Sequence, residues 1–230
     1  MALQLTKRHF VSVPPVPGQE SQVARYTVPK GYVEHFALHH RLSITIAVQE
    51  EFQLPAEADR AEVTVQLAGD IVQGPWPAER VVAATWRGQP AEVVSFDLKN
   101  NTVTAKVTAE EGVLVVYYLS GDGYIRIQKS MPAGSAGRQE APVFEETLSI
   151  LHRSDQRDEA SLLRWMNDFN LYQDWSLVVY VNCRQAVAWD HPLTTFSAEF
   201  ERATMEQLYR RAQASGITPE QILEAERARF

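Results

Sequence analysis

The feature of this sequence that most constrains the fold is a long β-forming stretch near the middle of the chain. Residues 113–119 are β-branched, aliphatic or aromatic on both faces, a composition typical of a strand buried on two sides. Residues 124–128 alternate apolar with polar side chains, which indicates a strand with one face in water. Between them, the Ser-Gly-Asp-Gly segment of residues 120–123 favours a tight turn with positive φ angles. The stretch 112–129 therefore predicts a β-hairpin.

Several further segments, separated by residues typical of turns, have the composition of β-strands. Residues 42–48 and 62–67 alternate apolar with polar side chains, as half-buried antiparallel strands do. An Asn100-Asn101 pair between two other such segments predicts a second hairpin. The chain is therefore predicted to be mainly β, an antiparallel β-sandwich of the jelly-roll type. The remaining predicted strands are residues 23–28, 32–39, 93–98, 102–108, 144–151, 175–182 and 185–189.

The sequence predicts three parts along the chain. Residues 1–21 contain closely spaced prolines and lack any apolar period, so they are expected to form an extended arm. This arm either covers the body or reaches a neighbouring subunit. Residues 22–192 are expected to form the sandwich body, with one inserted helix near residues 155–170. Residues 193–230 are predicted to be a helical C-terminal extension.

The extension is predicted to contain two helices. Residues 198–215 are rich in helix formers, and Gly216 stands where a C-terminal cap belongs. Residues 218–221, Thr-Pro-Glu-Gln, then have the pattern of a helix start with a capping box. The last helix is too short to persist alone in water, so it either folds back on the preceding helix or enters a groove on a neighbour. The residues predicted to bind a partner are Ile222, Leu223 and Phe230.

Composition limits the partners and the location. The chain has 230 residues, 45% of them apolar, and can bury a substantial core. A net charge of −7 without any basic run argues against binding nucleic acid or anionic membranes, and no apolar run is long enough to cross a membrane. Cys183 is the single cysteine, so no intrachain disulfide can form. We expect a protein made in a cytoplasm that binds neither nucleic acid nor membranes.

One group of residues has the character of a metal site. His35, His39 and His40 lie near Glu50 in the sequence, and imidazoles on one face of a sheet can hold zinc or iron. Their position after Gly31 resembles the first motif of cupin barrels, but the histidines are adjacent rather than alternate and a second motif is missing. We therefore predict no metal ligands, with a cupin-like metalloenzyme as one alternative.

The sequence carries no clear catalytic signature. Cys183 could be a nucleophile with His152 or His191 as its base, but a cysteine inside a valine-rich strand is more often a small buried apolar residue. A nucleophile-elbow serine, a phosphate-binding glycine loop and a dinucleotide fingerprint are all absent from the sequence. We predict no catalytic residues, no cofactor and no enzymatic activity.

Aromatic residues leave a second alternative, a carbohydrate-binding or adhesion β-sandwich with a sugar-stacking platform. Aromatic side chains in such a chain more often fill the core and the interfaces. The residues concerned are Trp76, Trp86, Trp165, Trp175 and Trp189 with Tyr117, Tyr118 and Tyr124.

The order of predicted elements resembles the capsid and decoration proteins of bacterial viruses. It combines a proline-rich arm, an antiparallel sandwich that begins at Tyr26-x-Val28-Pro29-x-Gly31-Tyr32, and a charged helical tail. The resemblance implies a structural protein of the virion, without a cofactor, that assembles with itself as a homo-oligomer and with other shell proteins. Its expected location is the virion or, under the alternatives, the cytoplasm.

Overall fold

The computed structural model describes residues 4–16, 18–36, 42–74, 76–132, 140–153, 169–214, 216–218 and 221. Within these residues the chain is mainly β, and every strand pairing is antiparallel, which confirms the predicted fold class. A 3-10 helix spans Ala78–Arg80. The described α-helices are α1 (Leu148–Arg153) and α2 (Met205–Ala214). The strands are β1 (Gln4–His9), β2 (Val11–Ser12), β3 (Ser21–Thr27), β4 (Tyr32–Phe36), β5 (Leu42–Thr45), β6 (Ala47–Leu54), β7 (Glu62–Gln66), β8 (Val82–Trp86), β9 (Gln89–Ala91), β10 (Val93–Asp97), β11 (Thr102–Lys106), β12 (Gly112–Leu119), β13 (Tyr124–Ser130), β14 (Glu140–Thr147), β15 (Phe169–Leu171), β16 (Ser176–Asn182), β17 (Ala186–Val187) and β18 (Thr195–Thr204).

The described strands form four sheets. Sheet I has the order β1-β18-β4-β15, and β5 also pairs with β18. Sheet II has the order β14-β13-β16-β3-β2, and sheet III the order β17-β6-β12-β8-β9. Sheet IV contains β10, β11 and β7, with β11 in the middle. Strands that are adjacent in sequence often lie in different sheets, so the chain crosses repeatedly from one sheet to another.

One hydrophobic core joins all four sheets. Its buried members include Phe200 of sheet I, Ile127 of sheet II, Leu114 of sheet III and Val103 of sheet IV, each with no exposed surface. Burying one such side chain fully stabilises the fold by about 1.5–3 kcal/mol. The alternation of apolar and polar residues read in the sequence places these side chains on the inner faces of their strands.

The predicted hairpin of residues 112–129 is wrong, although both of its arms are strands. β12 pairs with β6 and β8 in sheet III, whereas β13 pairs with β14 and β16 in sheet II. The intervening turn therefore carries the chain between sheets. Gly123 has the predicted positive φ, +121°, but Gly121 does not. Each arm has a partner on both sides, and this doubly paired state satisfies more backbone groups than a lone hairpin would.

The predicted strand 42–48 is divided between two sheets. β5 pairs with β18 in sheet I, and after Ile46 the chain continues as β6, which pairs with β12 in sheet III. The second predicted hairpin is confirmed, since β10 and β11 pair through the turn at Asn101, whose φ is +51°. Strands β8 and β9 were not predicted, because the small residues of β8 weaken its β signal although Val82, Ala84 and Trp86 alternate inward.

The predicted helix 198–215 begins too early. Residues Thr195–Thr204 form β18, and α2 starts only at Met205. Phe196, Ala198 and Phe200 are buried on one face of β18, and this strand has partners on both sides. Sheet pairing and burial therefore outweigh the helix propensity of its Glu, Arg and Ala residues.

The predicted strand 144–151 also ends early, because β14 stops at Thr147 and α1 follows. Residues 154–168, which contain most of the predicted inserted helix, lie outside the described residues, and β15 begins at Phe169. The division into arm, body and extension stays a prediction. Strands from all three predicted parts meet in sheet I, where β1 of the arm pairs with β18.

Candidate assembly surface

Two local motifs hold the turn that leads to the predicted partner-binding residues. The amides of Gly216 and Ile217 donate to carbonyls in the last turn of α2 at 3.2 and 3.0 Å, and Gly216 has a φ of +69°. Gln221 N donates to Thr218 Oγ1 at 3.2 Å, while Thr218 N donates to Gln221 Oε1 at 2.8 Å. This is the capping box that the sequence predicted. The predicted partner-binding residues themselves, Ile222, Leu223 and Phe230, lie outside the described residues.

An apolar groove lies between β8 and β9 of sheet III and β10 of sheet IV. It has a volume of about 660 Å³, and Val82, Ala91, Val93, Val94 and Phe96 line it. Its polar lining includes Glu79 and His191 at the margin. We call this feature the β8–β10 groove. An apolar concavity at a protein surface is typical of a site for another polypeptide.

The β8–β10 groove coincides with free strand edges. Among the described residues, β9 bonds only to β8, and β10 bonds only to β11. Val94 and Leu98 are 44% and 43% exposed at this edge. A β-bulge between Val93 and Ser95 interrupts the pairing with β11. Free edges with exposed apolar side chains are sites where β-proteins associate.

A buried ion-pair cluster ties the first and last described strands of sheet I together. Glu34 on β4 is fully buried and lies between Arg8 of β1 and Arg202 of β18. The Nε atoms of Arg8 and Arg202 donate to Glu34 Oε1 at 3.0 and 2.8 Å. Tyr26 lies beside this cluster, and burial together with the Glu34 carboxylate raises the pKa of its phenol. The cluster connects three neighbouring strands, β1, β18 and β4, through their side chains.

One of the two histidines considered as a possible base for Cys183 has a structural role. His152 of α1 is fully buried, and its Nδ1–H donates to Ser120 O at 2.8 Å. Its Nε2 accepts a hydrogen bond from Ile46 N at 3.1 Å, so the ring is the neutral tautomer. Burial lowers the pKa of His152 to about 4. The ring thereby joins α1, the turn after β12 and the link between β5 and β6.

The other candidate catalytic residues are not arranged as a nucleophile and its base. Burial, followed by the charge of Asp122, raises the pKa of the Cys183 thiol to about 12. His191 stacks on Tyr117 with ring centroids 4.0 Å apart, and its Nδ1 accepts from Leu193 N at 3.2 Å. Burial lowers the pKa of His191.

His35 and Glu50, two members of the group considered as metal ligands, take part in different hydrogen-bond networks. His35 Nδ1–H donates to Asn170 Oδ1 at 2.9 Å across the β4–β15 pairing. Glu50 accepts hydrogen bonds from Ala68 N, Gly69 N and the Tyr118 hydroxyl, which holds the loop after β7 against sheet III. Burial is the main cause that raises the pKa of Tyr118. Within the described ranges, no group of three His, Cys, Asp or Glu residues is placed to hold a metal ion, and His39 and His40 lie outside those ranges.

The aromatic residues that suggested a sugar platform are dispersed. Trp86 is buried and its Nε1–H donates to Thr108 Oγ1 at 2.9 Å, while Trp175 is buried against Tyr172. Tyr118 is also buried, and Tyr124 is exposed on the edge of the turn between sheets. Trp165 lies outside the described residues. Of the seven described candidates, Trp86, Trp175 and Tyr118 are therefore buried, and Trp76 and Tyr117 pack against the core.

Comparison with known proteins shows similarity of structure rather than of sequence. No protein family and no curated protein matches the sequence. A chain in the VP16–VP17 complex, a complex of the two major capsid proteins of bacteriophage P23-77, superposes with a TM-score of 0.68 at 22% identity. The match covers 88% of this chain and 99% of the other. The chain shares the fold of a bacteriophage capsid protein.

A second structure, VP17, a capsid protein of bacteriophage P23-77, gives a TM-score of 0.67 at 21% identity and covers 88% of this chain and 96% of VP17. The predicted resemblance to capsid proteins is thus confirmed at the level of the fold.

Of the helices that the structure describes, none has the length and apolar character needed to cross a membrane.

The sequence did not reveal the contacts that organise this surface. Arg8, Glu34 and Arg202 come from distant strands, and only the tertiary pairing brings them together. The predicted strand 93–98 contained Val94, but no pattern in the sequence indicated that its edge stays free. Whether a strand has a free edge can be decided only when its neighbouring strands in the sheet are known.

Proposed function

We propose that this chain is a structural subunit of a virion shell that acts through protein–protein contacts and catalyses no reaction. The observation that carries the proposal is the capsid-protein fold, which matches over 88% of this chain and 99% of the other chain. The use of the candidate catalytic side chains in buried structural contacts supports a role without chemistry. Neither the carbohydrate-binding nor the cupin-like alternative is favoured.

The proposed partners are other copies of this chain and other shell proteins. One structural neighbour comes from a complex of two different capsid proteins, which supports contacts with a second kind of subunit. The proposed location is the virion.

We further propose that the C-terminal segment of one copy occupies the β8–β10 groove of the next. The chain continues beyond the capping box into Ile222, Leu223 and Phe230, which are apolar residues spaced within a short charged segment. The groove offers an apolar lining and a strand edge that has no partner among the described strands. Arg227 and Arg229 of the segment complement Glu79 at the margin of the groove.

Immunogold electron microscopy tests the shell role. Antibodies raised against the purified protein are applied to virus particles isolated from cultures that express the gene. The proposal predicts regular labelling of intact particles, and mass spectrometry of the same particles should find the chain in many copies. If the chain is confined to the soluble lysate and is absent from particles, the proposal is wrong.

A further inference from the structure

A second pocket, beside β1, β5 and β18 of sheet I, is lined by hydrogen-bond donors from separate parts of the chain. It has a volume of about 480 Å³. β1 contributes Lys7 and His9, the 3-10 helix contributes Arg80, and Trp76 of the preceding loop also lines it. The loop before β18 closes one side through Leu193. We call this feature the β1 pocket.

The strand register gathers polar side chains on the floor of the β1 pocket. Lys7 and His9 are two residues apart, so their side chains share a face of β1. His9 lies opposite Ser197 of β18, and Ser197 lies opposite Ser43 of β5. These three side chains form a row across three strands, because directly paired residues point to the same face. Ser12 lines the pocket beyond this row.

The described lining of the pocket contains donors and positive charge and no carboxylate. Among the described residues, no Asp or Glu lines it, although the whole chain has a net charge of −7. Among the described residues, Lys7 and Arg80 form no ion pair. The acidic residue nearest in register is Glu199, which lies opposite Lys7 and is not part of the lining.

The hydroxyls of the pocket are available as well. Ser12, Ser43 and Ser197 have no hydrogen-bond partner for their side chains within the described part of the chain. Unpartnered donors beside unpaired cations are what a bound oxyanion would satisfy.

We infer that the β1 pocket binds a phosphate group. Lys7 of β1 and Arg80 of the 3-10 helix supply charge-assisted hydrogen bonds, and the serine hydroxyls that line the pocket donate as well. A phosphate has more acceptor oxygens than a carboxylate and so matches a set of donors that surrounds it. The pocket is larger than one phosphate and has apolar walls from Phe10 and Phe196, which leaves room for an organic group attached to it.

Titration of the intact protein with inorganic phosphate tests this site, with tryptophan fluorescence and calorimetry as readouts. We expect saturable binding at one site per chain that chloride at equal ionic strength does not reproduce. Lys7→Gln and Arg80→Gln should each weaken phosphate binding about tenfold or more, since each removes a charged donor. Lys99→Gln is the matched control, because Lys99 is exposed on the β10–β11 turn outside the pocket.

A nucleoside monophosphate in the same titration separates two sources of the phosphate. Tighter binding than inorganic phosphate identifies a phosphate ester as the ligand, and equal binding identifies the free ion. Absence of saturable binding, or binding that neither Lys7→Gln nor Arg80→Gln weakens, overturns the inference. The measurement uses the isolated protein, so its outcome is independent of the proposed shell role.

Discussion

Arg202 and Glu34 lie directly opposite each other in the pairing of β18 with β4, and Arg202 Nε donates to Glu34 Oε1 at 2.8 Å. Arg8 of β1 donates to the same oxygen from across β18. The carboxylate is fully buried, whereas the side chains of Arg8 and Arg202 are only 20% and 23% exposed. A carboxylate in this setting is stable only while both guanidinium groups remain in place. The cluster therefore links side chains from three neighbouring strands of sheet I through one buried carboxylate.

Glu34→Ala should strongly destabilise the fold. It leaves two largely buried guanidinium groups without their shared partner, so we expect the free energy of unfolding to fall by about 3 kcal/mol. Urea unfolding followed by circular dichroism measures the change. Glu92→Ala is the matched control, since Glu92 pairs with Lys106 at the surface, where solvent screens the pair, and its loss should leave the free energy of unfolding nearly unchanged. Equal effects of the two substitutions would contradict a structural role for the cluster.

Gly123→Ala should lower the free energy of unfolding more than Gly88→Ala does, although both glycines have a positive φ. At Gly123 an added Cβ would overlap the carbonyl oxygen of Asn182, whereas at Gly88 nothing lies within 4 Å. We expect about 1 kcal/mol of destabilisation at Gly88 from backbone strain alone, and at least about 2 kcal/mol at Gly123. Thermal unfolding of the two variants measures the difference. Similar melting temperatures would show that the turn adjusts without cost.

His152 should make the fold sensitive to mild acid. Its pKa is about 4 in the folded chain and about 6.5 in the unfolded chain, so below pH 6.5 the unfolded state binds more protons. The stabilisation is therefore complete above pH 6.5 and is lost as the pH falls to 4, with a total of about 3 kcal/mol.

Urea unfolding at a series of pH values tests this dependence, and His152→Gln should flatten the slope between pH 6.5 and 4. An NMR titration of the His152 ring in the unaltered protein measures the same property without a substitution. A ring that titrates near pH 6.5 in the folded protein would be incompatible with the prediction.

The β8–β10 groove gives a fourth prediction. Val94→Asp places a charge in the apolar lining and should reduce self-association, measured as the weight-average mass by light scattering over a range of concentrations. Deletion of residues 218–230 should have the same effect while the melting temperature stays within a few degrees of the original. Val16→Asp is the control, because Val16 is 51% exposed and lies outside the groove. Unchanged association in both test variants, or unfolding of the truncated chain, would count against the proposed contact.

Local features of this chain were readable from the sequence because they depend on a few consecutive residues. The turn at Asn101, the positive φ of Gly123 and the capping box of Thr218 and Gln221 all follow from the steric and hydrogen-bonding properties of those residues. The predominance of antiparallel strands was also predictable, since alternation of apolar and polar residues has a period of two.

Partner strands and sites were decided only by the tertiary structure. Nothing between residues 112 and 129 showed that β12 and β13 belong to different sheets, because pairing energy depends on strands distant in sequence. Residues Thr195–Thr204 have helical propensity, but two flanking partners make them the centre of sheet I. The β1 pocket likewise exists only because Lys7 and Arg80, far apart along the chain, are brought together by long-range pairing that no local pattern records.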